Sequence, residues 1–159
     1  MSVDLHTHPI AHGTGSYQEV FLQEFLNRAK ERGISQLGFT DHDWYLDQID
    51  FDIKNSLNES GSKLKVLLGL EVDYFPEREH ELRETLAKYP FDYIIGSVHH
   101  IGDWAFDVPE EKANYTKWDN DALYEAYFNI VKLAASSGLF QVIGHLDLIK
   151  IWGHRPRQH

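Results

Sequence analysis

Apolar and polar positions divide the chain into short apolar runs and longer segments with a helical period. Five runs have the length and residue types of strands: 3–5, 37–40, 65–70, 93–98 and 140–143. Between them, apolar residues recur at helical spacing, most clearly in 16–33 and 120–137, and more weakly in 49–60 and after Pro76. One strand and one helix, repeated about five times, predict an α/β fold with parallel strands in a single domain over 1–159.

Residues that can bind a metal ion follow every predicted strand. They are His6, His8 and His12 after the first strand, His42 after the second, Glu71 after the third, His99 after the fourth and His145 after the fifth. The carboxyl ends of parallel strands meet at one edge, where α/β proteins place their chemistry. The placement therefore predicts a multinuclear metal centre, and with it a hydrolase.

Each of these residues also has a plain structural interpretation. His6 and His8 are two apart, so both point the same way in an extended segment; otherwise they are satisfied polar residues at a strand end. Glu71 follows an apolar strand, where a carboxylate is costly to desolvate and favours a cation or a strong donor. His99 and His100 face opposite sides of a strand, so we take His99 as the ligand and leave His100 for the substrate or a structural contact.

Other polar and aromatic residues have less specific patterns. Ser16 and Glu19 have capping-box spacing and predict the start of the first helix. Asp73 can support a ligand or form a turn, and the turn role is the simpler interpretation. Residues 102–118 have no period, and we expect an ordered functional loop over the site, with Trp104 forming part of a substrate pocket.

Composition limits the chemistry of the site and the kind of partner. The chain has 159 residues, no cysteine and a formal net charge of −10. Without thiolates, the donor set is suited to two or three Zn, Fe or Mn ions, and the absence of cysteine fits a cytoplasmic protein. The acidic balance argues against a nucleic-acid surface and allows an anionic substrate where bound cations reverse the local field. No apolar run is long enough to predict a membrane span.

The ordered motifs resemble those of the PHP (polymerase and histidinol phosphatase) superfamily. The match runs through His6-Thr7-His8, Thr40-Asp41-His42-Asp43, Gly69-Leu70-Glu71, Ser97-Val98-His99-His100 and Gly144-His145. Residues 96–101 and 144–149 look most like the histidinol-phosphatase branch. The resemblance covers essentially the whole chain.

The resemblance implies a distorted (β/α)7 barrel with three metals at its carboxyl-terminal face. The implied ligands are His6, His8 and Glu71 for the first ion; Glu71, His99 and His145 for the second; and His12 and His42 for the third. A metal-bridging hydroxide held by Glu71 and His99 would attack a phosphomonoester. Arg155 lies about where a basic residue contacts phosphate in histidinol phosphatases, and His100 and Trp104 are further candidates for binding the substrate.

One feature departs from the family pattern. Family members have a further strand ending in Asp-x-His, and no such motif follows His145. The expectation is therefore an incomplete barrel of about five β-α units, C-terminally truncated relative to the family. Its open edge would favour dimerisation, element swapping or marginal stability. His154 and His159 are candidate substitutes for the missing ligands, although they lie in a terminal segment.

The implied function is a metal-dependent phosphomonoesterase that hydrolyses histidinol phosphate to histidinol and phosphate in histidine biosynthesis. Two alternatives stay open: a metal-binding or interaction module without turnover, and a PHP phosphoesterase with another substrate. The acidic charge argues against a nucleic-acid substrate. The expected partners are a small phosphomonoester and a second copy of the chain, with neither nucleic acid nor membrane.

Overall fold

Strands and helices alternate along the chain in the order that the sequence pattern predicts. The structure is a computed structural model that describes residues 2–10, 13–59 and 63–157. Its strands are β1 Val3–Thr7, β2 Gln36–Phe39, β3 Lys65–Asp73, β4 Tyr93–Ser97, β5 His100–Ile101, β6 Trp104–Ala105 and β7 Val142–Ile143. Its α-helices are α1 Glu19–Glu31, α2 Ile53–Glu59, α3 Glu79–Leu86 and α4 Asn120–Ser136. Shorter 3-10 helices span Asp43–Gln48, Pro76–Arg78, Pro109–Lys117 and Leu148–Lys150.

Five strands form one sheet, in the hydrogen-bonded order β1-β2-β3-β4-β7. The pairs β1–β2, β2–β3 and β4–β7 are parallel, with Val3 beside Gln36 and Phe39 beside Leu68. Strands β5 and β6 form a separate antiparallel hairpin. The predicted α/β fold with parallel strands is therefore confirmed.

The chain divides into two units, which we describe separately. Unit 1 consists of Met1–Glu71 and Tyr89–Ile94. There the buried face of α1 contributes Leu22 and Leu26 to the core, and Phe25 meets Phe39 of β2 edge to face at 5.8 Å. The apolar residues that recur at helical spacing in α1 therefore form the face that packs on the sheet.

Unit 2 consists of Val72–Lys88 and Ile95–His159. Its core contains Val98, Phe106, Tyr115, Leu123, Tyr127, Val131 and Ile149. The predicted stripe on α4 supplies three of these residues at four-residue spacing. Across the described ranges, no helix combines the length and apolar character that a membrane span requires.

Tyr93 in unit 1 lies across two glycines of neighbouring strands. Its hydroxyl donates to the carbonyl of Leu5 at 2.7 Å, next to His6. A Cβ on Gly38 would lie 1.8 Å from that hydroxyl, and one on Gly69 would lie 2.7 Å from the ring. Because β2 and β3 lie between β4 and β1 in the sheet, these glycines give Tyr93 the room to link β4 to β1.

The first helix begins later than its sequence predicts. Helix α1 starts at Glu19, and the N-cap Gln18 makes no side-chain cap hydrogen bond. Ser16 Oγ accepts from the Gln18 N–H at 3.3 Å, in the pattern of a serine turn. The capping-box prediction is wrong because this turn uses the Ser16 hydroxyl before the helix begins.

Segment 102–118 is ordered, as predicted, but it is not an irregular loop. It contains β6 and the 3-10 helix Pro109–Lys117. Trp104 meets Tyr115 edge to face at 4.8 Å, and the buried Tyr115 donates to the carbonyl of Ile149 at 3.0 Å. The aromatic residues of this segment show no helical period because no α-helix carries them; Phe106 and Tyr115 belong to the core of unit 2.

Candidate metal centre

Three histidine side chains surround the carboxylate of Glu71 in unit 1. The Nε2 atoms of His6, His8 and His42 lie 2.8, 3.4 and 3.6 Å from Glu71 Oε2. Glu71 is only 1% exposed, whereas the side chains of His6 and His8 are each 32% exposed. The carboxylate is thus buried under imidazoles that solvent can still reach.

Parallel strand geometry brings these four residues together. His6 lies in β1 and His8 follows two positions later, so both rings fall on the same side. Beyond β2, His42 and Glu71 form a parallel bridge, and the Glu71 N–H donates to the carbonyl of Asp41 at 3.0 Å. The pairing of the second and third strands therefore continues into the residues that carry the site.

The imidazole rings form a stack that extends to Trp44. The rings of His8 and His42 are 4.8 Å apart with an interplanar angle of 13°. The indole of Trp44 lies on His42 at 3.9 Å and 11°. Trp44 is 54% exposed, so an indole in contact with solvent borders the site.

The donor set of unit 1 fits a divalent metal ion. His6, His8 and Glu71 each offer one ligand atom, and these atoms lie within 4.8 Å of one another. A carboxylate with imidazole nitrogens and no sulfur suits Zn, Fe or Mn. A carboxylate as buried as that of Glu71 is also costly without a compensating positive charge.

The carboxylate of Asp41 anchors the backbone next to the site. Asp41 is fully buried, and its Oδ1 accepts from the Ile10 N–H at 3.0 Å. Burial, together with the negative charge of Asp41, raises the pKa of Tyr17 above its ordinary value. Asp41 thus holds in place the segment that follows His8.

A second group of polar side chains lies in unit 2. His99 Nε2 is 3.3 Å from His145 Nε2, and the two rings are 4.9 Å apart. On its other side, His99 Nδ1 contacts Asp73 Oδ1. Asp73 Oδ2 lies 3.5 Å from Nδ1 of His100.

Asp73 is ionised in this setting. Burial alone raises the pKa of its carboxyl, but the neighbouring imidazoles of His100 and His99 outweigh burial and lower the pKa to about 2. The sequence favoured a turn role for Asp73. The signal available in the sequence was its position two residues after Glu71, since residues two apart in a strand point to the same side.

Comparison with known proteins identifies the family. The PHP domain matches residues 4–159. This chain belongs to the PHP family. A "Probable histidinol-phosphatase" of Deinococcus radiodurans is 40% identical over 164 residues, covering 94% of this PHP chain and 61% of the relative. The histidinol-phosphatase of Lactococcus lactis is 26% identical, covering 95% of this chain and 58% of its own length.

A solved structure supports the same fold. The crystal structure of the histidinol phosphate phosphatase of Lactococcus lactis, complexed with zinc, L-histidinol and phosphate, superimposes with a TM-score of 0.73 at 21% identity. The match covers 94% of this PHP chain and 59% of that one. The chain therefore spans about 60% of the length of the relatives it matches.

The predicted substrate-binding residues of this PHP chain lie in unit 2. The ring of His100 packs against Phe75 at 5.0 Å. Trp104 Nε1 donates to the carbonyl of Glu111 at 3.3 Å within the aromatic core. Arg155 Nη1 donates to the carbonyls of Lys150 and His154, both at 2.8 Å. Substrate binding by His100, Trp104 and Arg155 stays a prediction.

The other histidines are placed as follows. His12 and His159 lie outside the described residues, so their predicted ligand roles stay predictions. The ring of His154 stacks on Tyr115 at 4.6 Å in unit 2. His80 is on the exposed surface of α3. The adjacent residues His99 and His100 both reach Asp73, contrary to the expected alternation, because β4 ends at Ser97 and His100 begins β5.

Proposed function

We propose that the chain is a metal-dependent phosphomonoesterase that hydrolyses histidinol phosphate to histidinol and phosphate, within histidine biosynthesis in the cytoplasm. The observation that carries the proposal is the buried Glu71 carboxylate with three imidazole Nε2 atoms 2.8–3.6 Å from one oxygen. Histidinol-phosphatase is also the name of the relatives at 40% and 26% identity.

The residues of unit 1 would hold the ion. His6, His8 and Glu71 provide the donor atoms, and His42 reaches the same carboxylate oxygen. When bound, divalent ions act as Lewis acids that activate water and stabilise charge developing on a phosphoryl group. In unit 2, His99 and His145 turn their Nε2 atoms towards each other and provide a further pair of nitrogen donors. We propose two or three Zn, Fe or Mn ions in total.

Charge supports a small substrate. With a net charge of −10, the chain repels polyanions, and attraction for a phosphate group depends on cations bound at the site. A monoester with a single phosphate needs only that local charge. A nucleic acid would need an extended basic surface.

The proposal is tested by removing and restoring the metal. We expect dialysis against a chelator to abolish phosphate release from histidinol phosphate, and Zn²⁺, Mn²⁺ or Fe²⁺ to restore it. Release from p-nitrophenyl phosphate should respond in the same way but with lower kcat/KM. A Glu84→Gln variant, altered on the exposed face of α3, serves as the control and should behave as the wild type. Activity that survives the chelator, or metal-loaded protein that releases phosphate only from other substrates, would contradict the proposal.

A second candidate is a metal-binding module without turnover. It rests on the donor atoms of His6, His8 and Glu71 alone, since metal binding requires no substrate site. Under this alternative, the protein binds ions stoichiometrically and releases no phosphate from any monoester. Measurement of metal content alongside phosphate release separates the two candidates.

A further inference from the structure

The indole of Trp44 is the outermost member of the ring stack beside Glu71. The His42 ring lies between the other two rings, 3.9 Å and 11° from Trp44 and 4.8 Å and 13° from His8. The side chain of His42 is 13% exposed, whereas Trp44 is 54% exposed. Exposure therefore increases outwards along the stack, and the indole forms its solvent end.

One face of the indole is covered, and the other is open to solvent. Within the part of the chain that the structure describes, the ring partners of Trp44 are His42 and Tyr45. The Tyr45 ring is 5.9 Å away and tilted by 57°, so it does not lie flat on the indole. Because the indole lies flat on a single ring and is still more than half exposed, its second face has room for a ligand.

The open face lies close to the donor atoms of the candidate metal centre. His42 Nε2 is 3.6 Å from Glu71 Oε2, and Trp44 lies on that same His42 ring. With its phosphate at the metal donors, a phosphomonoester projects its alcohol group towards the solvent end of the site. A ring in that group would stack on an aromatic neighbour at a centroid distance of roughly 4.5–7 Å, which adds one more layer to the stack.

The chemistry of an indole face favours a planar ring over an aliphatic group. The π electrons make the face negative, so that it attracts a cation or the positive edge of another ring. An aliphatic group of similar volume gains apolar contact with the indole but not this attraction. A substrate with a planar ring, neutral or cationic, therefore fits the open face best.

We propose that Trp44 is a specificity-determining residue whose open face stacks on a planar ring in the alcohol group of the substrate. For histidinol phosphate this ring is the imidazole, and that assignment rests on the proposed phosphatase function. The stack thus has a role at each end: its imidazoles surround the Glu71 carboxylate, and its indole selects the substrate.

The test compares two esters that share the phosphate and the amino group and differ in one side group. Histidinol phosphate carries an imidazole, and leucinol phosphate carries a branched aliphatic group at the same carbon. We expect the Zn²⁺-loaded wild type to have the higher kcat/KM for histidinol phosphate. Trp44→Leu should reduce the ratio of the two kcat/KM values by roughly 2- to 12-fold, the factor that one aromatic pair contributes to affinity.

The ratio separates selection of the substrate from support of His42. Both esters are measured on one protein sample, so a partly unfolded or metal-poor variant lowers both values alike and leaves the ratio unchanged. Trp44→Phe should keep most of the ratio, because it retains a ring face. Phe128→Leu is the matched control, since Phe128 is an exposed aromatic residue on α4 in unit 2, and its ratio should equal that of the wild type.

Binding provides a readout that needs no turnover. If the Zn²⁺-loaded protein does not hydrolyse the esters, each is a stable ligand, and titration calorimetry gives the same ratio as two Kd values. A ratio of Kd values that falls in Trp44→Leu would then leave the role of Trp44 standing and contradict the proposed function. Hydrolysis of histidinol phosphate with an unchanged ratio would do the reverse.

Three results would overturn the proposal. The first is an equal effect of Trp44→Leu on both esters, which would make Trp44 only a support for the His42 ring. The second is no effect on either ester. The third is Zn²⁺-loaded wild-type protein that binds neither ester.

Discussion

At the scale of single residues, Glu71 is the centre of the candidate site. Its side chain is 1% exposed, and three imidazoles approach one of its oxygens. A buried carboxylate is costly without a compensating positive charge, so the group is far better satisfied with a divalent ion bound. Glu71 is therefore the residue whose substitution should have the largest effect on metal binding.

Trp44 should report metal binding at His42. The indole lies 3.9 Å from the His42 ring and parallel to it, and an open-shell ion such as Co²⁺ quenches the fluorescence of an indole that close. We expect Co²⁺ to quench part of the tryptophan emission, and Trp44→Phe to remove most of that response. Trp118→Phe, altered at a tryptophan of unit 2, should retain it. Equal quenching in Trp44→Phe and wild type would show that no ion binds at His42.

The candidate ligands could be predicted from the sequence better than the residues that support them. His6, His8, His42 and Glu71 were found because each follows a strand, and parallel strands bring such positions together. Asp73 received a turn role because its partners depend on where the chain turns after β4. No periodic pattern of residues in the sequence marks that change of direction.

At the scale of elements, Tyr93 links β4 to β1 within unit 1. Its hydroxyl donates to Leu5 next to His6, and Gly38 and Gly69 leave the space that the ring occupies. The glycines in the second and third strands are therefore required by a side chain from the fourth. The link fixes the backbone from which His6 extends.

Gly38→Ala should destabilise the protein by about 1–3 kcal/mol, the usual cost of overpacking a filled interior. A Cβ at this position would lie 1.8 Å from the Tyr93 hydroxyl. We expect Gly38→Ala/Tyr93→Phe to cost less than the sum of the two single substitutions, because the hydroxyl that collides is absent. Urea unfolding of the four proteins measures this coupling, and strict additivity would contradict it. Gly33→Ala, where nothing lies within 4 Å of an added Cβ but φ is +68°, is a control for backbone strain without collision.

Element positions could be predicted from the sequence more reliably than element ends. The apolar period of α4 gave its buried face, because residues four apart share a side of a helix. The last strand was predicted over 140–143 but spans Val142–Ile143. Phe140 packs against Tyr74 at 5.6 Å instead of extending the strand. An apolar run alone does not distinguish these two uses of a large side chain.

At the scale of the whole molecule, the chain is a PHP protein with five strands in one sheet and about 60% of the length of its relatives. The order of strands, helices and motifs could be predicted because the spacing of apolar residues distinguishes strands from helices along the chain. The role of the open sheet edge in dimerisation stays a prediction.

Metal binding should stabilise the folded chain. An ion that binds the native state and not the unfolded state, at 100 times its dissociation constant, adds about 2.7 kcal/mol. For a chain of this size that corresponds to a rise in Tm of roughly 5–10 °C. We expect Zn²⁺ to raise Tm by this amount in a thermal scan and Glu71→Gln to lose most of the rise. A Tm that does not respond to Zn²⁺, Mn²⁺ or Fe²⁺ would contradict a structural fit to these ions.

The proposed phosphatase is tested most sharply by phosphate release from histidinol phosphate, measured for metal-reconstituted wild-type protein and for Glu71→Gln, with metal content determined in the same samples. We expect turnover by the wild type. In Glu71→Gln we expect a loss of at least about 100-fold, together with loss of bound metal. Turnover by Glu71→Gln at the wild-type rate, or metal-loaded wild-type protein that releases no phosphate, would contradict it.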